Sequence, residues 1–218
     1  MSYLDLLEDK DVLHYYNLIE NEINNCPIDH SINHIKRTID NAEILANLIG
    51  LSESKQQILF SACVLHDIGY IKSRNKHAMI GSLMCKRILN KHGYTTDDIE
   101  VVSSIIASHN SLKIEDYDLD SAIIMMLADK LDLSQNRLNL AHYSIDNQFK
   151  ALTNIDYISF KLNNDSIEIY LNCKAYTSIK LLNQCLLISK LDNYLNLASK
   201  YLNINFSLKY NIKKVLTK

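Results

Sequence analysis

An adjacent histidine and aspartate, His66-Asp67, end the apolar helical stretch Ser61–Leu65, and Gly69 follows two residues later. A neutral imidazole and a carboxylate at the end of a buried helix are two ready metal ligands. Their burial is costly unless something compensates them. Gly69 allows either a close approach of the backbone or a left-handed turn. The pair therefore predicts the centre of a site that other residues of the chain must complete.

Further potential ligands stand at the ends of other apolar helical stretches, namely His34, His77, His109 and Asp129. Any one of these histidines alone is better explained as a satisfied core residue, and His30 could compete with His34 for a ligand role. Together with the central pair they form an ordered series on separate predicted helices. We therefore expect the six side chains to converge on one pocket.

Six nitrogen and oxygen ligands without cysteine favour a borderline or hard divalent metal, such as Fe, Mn, Ni, Co or Mg, over a structural zinc. Six ligands exceed what one open catalytic site needs, so we expect two metals with Asp67 as the bridge. Two metals about 3.5–4 Å apart can clamp a phosphoryl group and supply a hydroxide nucleophile at neutral pH. The basic segment 71–76 beside the pair is interpreted equally well as a solvated loop or as a rim that faces an anion.

The composition is that of an ordinary globular protein: of 218 residues, 47% are apolar and 22% are charged, and the net charge is −2. This balance predicts no basic surface for nucleic acid or an anionic membrane. No apolar run reaches the roughly 18 residues that a membrane span needs, and no signal-peptide pattern is visible. The five cysteines are scattered and contain no C-x-x-C, which predicts reduced thiols. We expect a cytoplasmic protein that binds neither membrane nor nucleic acid.

Few glycines and a single proline predict long helices over the first two thirds of the chain. Apolar spacing places these helices at 3–25, 31–49, 52–65, 77–91, 96–108, 121–128 and 134–152. From Ile155 the pattern alternates and predicts a β-hairpin over 155–162 and 166–173. A long helix over 176–201 and a short strand over 202–208 follow. The predicted domains are an N-terminal helix (1–27), a metal-binding helical domain (28–152) and a small α+β lobe (153–218).

Residues 29–137, about half of the chain, resemble the HD-domain metal-dependent phosphohydrolases. The family's motifs occur here in order as His34-x-x-Arg37, Leu65-His66-Asp67-Ile68-Gly69, His77-Ala78-Met79-Ile80-Gly81-Ser82, Ser108-His109 and Ala128-Asp129-Lys130-Leu131-Asp132. The resemblance implies a mainly α fold, an HD-domain helical bundle, here with a small C-terminal α+β extension. It implies one metal held by His34, His66, Asp67 and Asp129, and a second completed by His77 and His109. His66 and Asp67 would then form the catalytic centre.

The motif spacing is most similar to that of the bacterial dinucleoside-tetraphosphate hydrolases, whose later acid and arginine correspond to Asp132 and Arg137. Segment 110–114 replaces the loop with glycine and proline expected after His109, and the lobe from Ile155 extends past the usual end. The resemblance implies that a metal-activated water cleaves a phosphoester or phosphoanhydride of a small molecule, with a nucleotide as the expected substrate. Lys72, Arg74 and Lys130 are the candidates for binding phosphate, and the chain is a candidate homodimer.

Two other functions are left open by the same residues. One is a di-iron oxygenase, because some HD relatives with six such ligands cleave carbon bonds with O₂. The other is a regulatory or binding module that retains metal without catalysis.

Overall fold

The computed structural model describes residues 2–22, 26–112, 118–139 and 149–214. The chain divides into two compact units, the first made of residues 1–23 and 30–129 and the second of residues 24–29 and 130–218. The described part of the first unit is helical, whereas the second combines helices with a three-stranded sheet. This confirms the predicted mainly α fold with a small C-terminal α+β extension.

Seven helices are described in the first unit: α1 (Tyr3–Leu7), α2 (Lys10–Glu22), α3 (Ile32–Ile49), α4 (Glu53–Leu65), α5 (His77–Lys91), α6 (Thr96–Ser108) and α7 (Leu119–Lys130). A 3₁₀ turn, Ile68–Ile71, lies between α4 and α5. Residues Leu59–Leu65 of α4 and Ser121–Asp129 of α7 are buried on every side, which places both segments at the centre of the core. Within the described ranges, no helix is both long and apolar enough to cross a bilayer.

The helix boundaries follow local signals that the sequence carries. The hydroxyl of Ser31 accepts a hydrogen bond from the amide of Asn33 and caps the start of α3. Gly50 ends the same helix with φ of 74°, and Gly93 follows α5 with φ of 72°. These starts and stops confirm the predicted bounds of α3 and α5.

Residues 3–25 do not form the single helix that their apolar spacing predicts. The chain breaks between α1 and α2, where Oδ1 of Asp9 accepts hydrogen bonds from the amides of Asp11 (2.8 Å) and Val12 (3.2 Å). Oδ2 of the same carboxylate lies 2.7 Å from Nζ of Lys91 and 2.8 Å from Nε2 of His92, just after α5. The break therefore lets one buried carboxylate cap α2 and hold the end of α5. Residues 23–25 of the predicted helix lie outside the described residues.

The sheet of the second unit has the order β1-β2-β3, with β1 (Ile155–Asn163) antiparallel to β2 (Ser166–Cys173) and β3 (Asn205–Ile212) parallel to β2. Asn164, with φ of 48°, forms the turn of the predicted hairpin, which is confirmed. Alternate residues of β2, Ile167, Ile169 and Leu171, are buried on one face. Because β2 and β3 are parallel, a crossover must connect them, and α8 (Ile179–Gln184) and α9 (Leu186–Leu202) supply it.

Two predictions for the second unit are wrong in detail. The predicted helix 176–201 is divided at Cys185, a buried residue in extended conformation with φ of −66° and ψ of 125°. The predicted helix 134–152 is replaced, in its described part, by the 3₁₀ turns Gln135–Arg137 and Lys150–Asn154, while residues 140–148 lie outside the described residues. Leu138 is extended because it pairs with Ile28 in an isolated β-bridge.

We predict that the charge of Asp9 stabilises the first unit through α5. Asp9→Asn keeps a good N-cap but loses the ionic partners, so it should lower the unfolding free energy by about 1 kcal/mol at pH 7, and Asp9→Ala by about 2 kcal/mol. Urea unfolding measures both. Asp11→Asn is the control. Because the side chain of Asp11 is 45% exposed, this substitution should change the unfolding free energy by less than about 0.5 kcal/mol.

The same contribution should depend on pH. Burial alone would raise the pKa of the Asp9 carboxyl, but the hydrogen bonds from Lys91, His92 and two backbone amides hold that pKa well below its usual range. A carboxyl with a lowered pKa in the folded state stabilises above its unfolded pKa of about 4, and this stabilisation is lost as the pH falls. The stability difference between wild type and Asp9→Asn should therefore narrow below about pH 4. A constant difference from pH 7 to pH 3 would contradict this account.

Candidate metal centre

Each of the six predicted ligands lies on a helix or just past its end, and all six are buried in the first unit. His34 lies in the first turn of α3, and His77 is the first residue of α5. His66 directly follows α4, His109 directly follows α6, and Asp129 lies at the end of α7. The structure brings these side chains together, as the order of the sequence motifs predicts.

The carboxylate of Asp67 lies between two pairs of imidazoles. Its Oδ2 is 3.3 Å from Nε2 of His66 and 3.7 Å from Nε2 of His34. Its Oδ1 is 3.6 Å from Nε2 of His77 and 3.9 Å from Nε2 of His109. Each carboxylate oxygen therefore faces a different pair of ring nitrogens, which is the arrangement of a carboxylate that bridges two positions.

Two groups of ligand atoms are close enough to surround a cation. His34, His66 and Asp129 form one group and His66, Asp67 and His109 the other, each with its ligand atoms within 4.8 Å of one another. Nε2 of His34 lies 3.3 Å from Oδ1 of Asp129. Ligand bonds of about 2.0–2.2 Å place neighbouring donor atoms about 3–3.5 Å apart, so the spacing fits a metal with modest adjustment.

Three of the histidines are held in the same way by the backbone. Nδ1 of His66 lies 2.9 Å from the carbonyl oxygen of Cys63. Nδ1 of His77 lies 2.6 Å from the carbonyl oxygen of Arg74, and Nδ1 of His109 lies 2.7 Å from that of Ile106. A carbonyl oxygen only accepts, so Nδ1 must carry the proton in each ring. In a neutral imidazole this leaves the lone pair on Nε2, which faces Asp67. Such an outer hydrogen bond is the usual means of fixing a metal-binding histidine.

The helix ends explain why these carbonyls are available. The last four carbonyls of a helix have no amide partner within it, and Cys63 and Ile106 lie in the last turns of α4 and α6. The histidine that follows each helix therefore folds back onto the residue three positions earlier. The carbonyl ends of α4, α6 and α7 also carry partial negative charge toward this region, which favours a cation.

The charge and hydrogen bonding of the site fit a metal. Among the described residues, Nε2 of His66 and Oδ2 of Asp67 are buried atoms without a hydrogen bond, although they lie 3.3 Å apart. Burial lowers the pKa of His77 and keeps its ring neutral. Two buried carboxylates among neutral imidazoles are stabilised when a divalent cation lies between them.

Two glycines allow the His66-Asp67 turn to approach α5. A Cβ at Gly69 would lie 2.1 Å from the carbonyl oxygen of His77 and 2.6 Å from the amide nitrogen of Gly81. A Cβ at Gly81 would lie 3.1 Å from the carbonyl oxygen of His66. The sequence predicts either a left-handed turn or a close backbone approach at Gly69. Because Gly69 has no positive φ, the close approach is the role that the structure shows. This contact places the first turn of α5, and with it His77, beside Asp67.

Neighbouring helices support the site through two further hydrogen bonds. The phenol of Tyr16 in α2 donates to the carbonyl oxygen of Val64 in the last turn of α4 (2.7 Å). The amide of Asn41 in α3 donates to the carbonyl oxygen of Ala128, next to Asp129 (3.2 Å). One bond ends on the carbonyl two residues before His66 and the other on the carbonyl directly before Asp129, so they help to fix where the ends of α4 and α7 lie.

The three predicted phosphate-binding residues are not buried, unlike the six predicted ligands. Lys72 and Arg74 are exposed in the segment between the 3₁₀ turn and α5. Lys130 is partly exposed at the end of α7, and its ammonium lies 5.8 Å from the centre of the Tyr194 ring. Arg74 also contributes its carbonyl to His77, a contact that a sequence pattern does not reveal.

Sequence reasoning missed two residues that contact His77. The Tyr70 ring stacks on the His77 ring at a centroid distance of 4.0 Å, and it lies 4.3 Å from the His30 ring on another side. Nδ2 of Asn110 lies 2.7 Å from Nε2 of His77. Tyr70 lies three residues after Asp67 and Asn110 directly follows His109, and this closeness to predicted ligands is the only signal that the sequence offers.

The comparison with protein families agrees with the geometry. Residues 31–134 match the family model described as HD domain, and this range contains all six predicted ligands. This matched segment, slightly less than half of the chain, is similar to HD domains. HD domains bind divalent metals, and the clusters of histidine and aspartate in this segment could hold them.

Among the proteins similar to the chain are one relative found by sequence and one solved structure. An uncharacterized protein of Clostridium beijerinckii is 32% identical over 118 residues, which cover 51% of this chain and 69% of that protein. The crystal structure of a predicted HD superfamily hydrolase from an uncultured Thermotogales bacterium is 23% identical, with a TM-score of 0.46, and covers 62% of this chain and 75% of its own.

We predict that Gly69→Ala displaces the first turn of α5, because its methyl group would overlap backbone atoms of His77 and Gly81 that cannot rotate away. The unfolding free energy should fall by at least about 2 kcal/mol in urea titrations. Gly81→Ala is the matched control, since its tight contact is offset by the better helix propensity of alanine, and it should change stability by less than about 1 kcal/mol. Equal effects of the two variants would contradict the proposed close approach.

Proposed function

We propose that the protein is a metal-dependent phosphohydrolase that cleaves a phosphoester or phosphoanhydride bond of a small molecule. The observation that carries this proposal is the Asp67 carboxylate, with each oxygen directed at a different pair of histidine nitrogens. A carboxylate that bridges two groups of ligands is the arrangement of two-metal sites that act on phosphoryl groups.

The residues divide between two metal positions. His34, His66, Asp129 and Oδ2 of Asp67 would hold the first cation, and His77, His109 and Oδ1 of Asp67 the second. Divalent cations bound there lower the pKa of a water molecule and polarise phosphoryl oxygens, whether the metal is Fe, Mn, Ni, Co or Mg. The second position has three protein ligands, which leaves coordination sites of its cation for water and substrate.

The chain's own groups prepare this chemistry. Asp67 and Asp129 supply the negative charge that retains the cations, and burial keeps that charge little screened. The carbonyls of Cys63, Arg74 and Ile106 hold three imidazoles with Nε2 directed inward, so no rotation is needed when a cation arrives. Buried His66 and Asp67 thus form the centre at which water would be activated.

The expected substrate is a phosphorylated small molecule, and we favour a nucleotide. Lys72 and Arg74 are exposed immediately before His77, where a long side chain can neutralise phosphate oxygens that extend from the metals. Motif spacing similar to dinucleoside-tetraphosphate hydrolases supports the nucleotide. The binding of phosphate by Lys72, Arg74 and Lys130 is part of this proposal.

We predict that Asp67→Ala abolishes phosphate release while the protein stays folded. The variant loses a ligand to both positions and the charge between them, so its rate should fall by more than the roughly 10²–10⁴-fold typical of one acid–base group. Its unfolding free energy without metal should be unchanged or higher, because a buried carboxylate is relieved. Phosphate release from nucleotides and an aryl phosphate is measured with Mn²⁺, Fe²⁺ or Mg²⁺, together with circular dichroism.

The control is Asp40→Ala, which removes an exposed carboxylate from α3 and should leave the rate unchanged. Metal-loaded wild type that consumes O₂ with an organic substrate and releases no phosphate would favour the oxygenase instead. Wild type that binds metal and does neither would favour a regulatory or binding module.

We predict that the chain holds two divalent cations and that His109→Ala holds one. His109 contributes only to the second position, so the first should keep its affinity. Elemental analysis after removal of loosely bound metal gives the stoichiometry, and His14→Ala, on the exposed side of α2, is the matched control. One cation per chain in both wild type and His109→Ala would overturn the two-metal assignment.

A further inference from the structure

The two proposed metal positions differ in the hydrogen bonding of their histidines. In the first position, Nε2 of buried His66 makes no hydrogen bond among the described residues. In the second position, Nδ2 of Asn110 lies 2.7 Å from Nε2 of His77. The second position therefore contains a polar contact at the nitrogen that would bind the cation.

The direction of this contact follows from the other side of the His77 ring. Nδ1 of His77 lies 2.6 Å from the carbonyl oxygen of Arg74 and must donate to it, so Nε2 of the neutral ring is an acceptor. Only the NH₂ group of Asn110 can donate to that nitrogen, and this fixes the orientation of the amide. The contact is thus a hydrogen bond from Asn110 to the lone pair that points at Asp67.

An imidazole nitrogen has a single lone pair in the plane of its ring. This lone pair can accept the proton of Asn110 or bind a cation, but it cannot do both. The bond also serves the protein without metal, because Nε2 of His77 and Nε2 of His109 lie only 3.2 Å apart. His109 is likewise held by a carbonyl at Nδ1, so two lone pairs face each other at this distance and repel.

We infer that Asn110 competes with a divalent cation for His77 and thereby weakens binding at the second position relative to the first. The inference rests on the metal site of the proposed function, but it does not depend on which reaction the site performs. Asn110 is exposed, so moving its side chain away from His77 opens no cavity in the core. Occupation of the second position then requires the loss of one hydrogen bond, and the first requires no such loss at His66.

The test is a titration of the metal-free full-length protein with Co²⁺, followed by calorimetry and by visible absorption. Wild type should show one tight and one weaker binding event. In Asn110→Ala the weaker event should tighten by about twofold to tenfold, the net worth of one hydrogen bond, while the tight event stays unchanged. Asn110→Asp should tighten it further, because a carboxylate cannot donate to Nε2 and adds negative charge beside the cation. Asn90→Ala, an exposed asparagine on α5, is the control and should match wild type.

Each outcome decides the inference. The inference is supported if Asn110→Ala tightens Co²⁺ binding only in the weaker event. It is also supported if wild type binds one ion and Asn110→Ala binds two. An unchanged weaker event, an equal change in both events, or one ion per chain in every variant overturns it. If Asn110→Ala tightens the weaker event but the protein releases no phosphate, the inference stands and the proposed phosphohydrolase activity is refuted. If the protein releases phosphate but the Co²⁺ affinities of the variants are unchanged, the activity stands and the inference is refuted.

Discussion

The burial of the Asp67 carboxylate among four imidazoles is the constraint on which the rest of the first unit depends. A carboxylate with 2% of its residue exposed is expensive to bury, and its two oxygens face different pairs of ring nitrogens at 3.3–3.9 Å. To bring those nitrogens there, α4 and α6 must end at His66 and His109, and α5 must begin at His77. The apolar interiors of α4 and α7 surround this polar centre and offset the cost of burying it.

One local feature links these helix ends to the chemistry. A histidine placed directly after a helix finds a carbonyl three residues earlier that has no amide partner within the helix. By donating from Nδ1 to that carbonyl, His66 and His109 satisfy the backbone and leave Nε2 able to bind a cation. His77 reaches the same state at a helix start, through the carbonyl of Arg74. The same hydrogen bonds thus complete the helix ends and prepare the ligands, so helix termination and site assembly are not separate requirements on the sequence.

Much of this arrangement could be predicted from the sequence because its signals are local. Apolar spacing, Ser31, Gly50 and the polar residue that closes each apolar run mark the ends of helices, and the ligands stand at those ends. The errors occur where a distant partner decides the structure. Asp9 divides the N-terminal helix because Lys91 and His92, more than 80 residues later, bind its carboxylate. Leu138 is extended because it pairs with Ile28. The role of Asn110 depends on the tautomer of His77, which the carbonyl of Arg74 sets.

The asymmetry of the two proposed positions follows from charge as well as from Asn110. The first position shares Asp67 and has Asp129 to itself, with Oδ1 of Asp129 3.3 Å from Nε2 of His34, whereas the second shares Asp67 and adds only neutral rings. A cation is attracted more strongly where two carboxylates face it, so the first position should fill before the second. While the second is empty, the bond from Asn110 occupies His77, and the Tyr70 ring stacks against it. The Tyr70 ring and the carbonyl of Arg74 contact His77 away from Nε2, so we expect the ring to keep its place beside Asp67 when Asn110 gives way to a second cation.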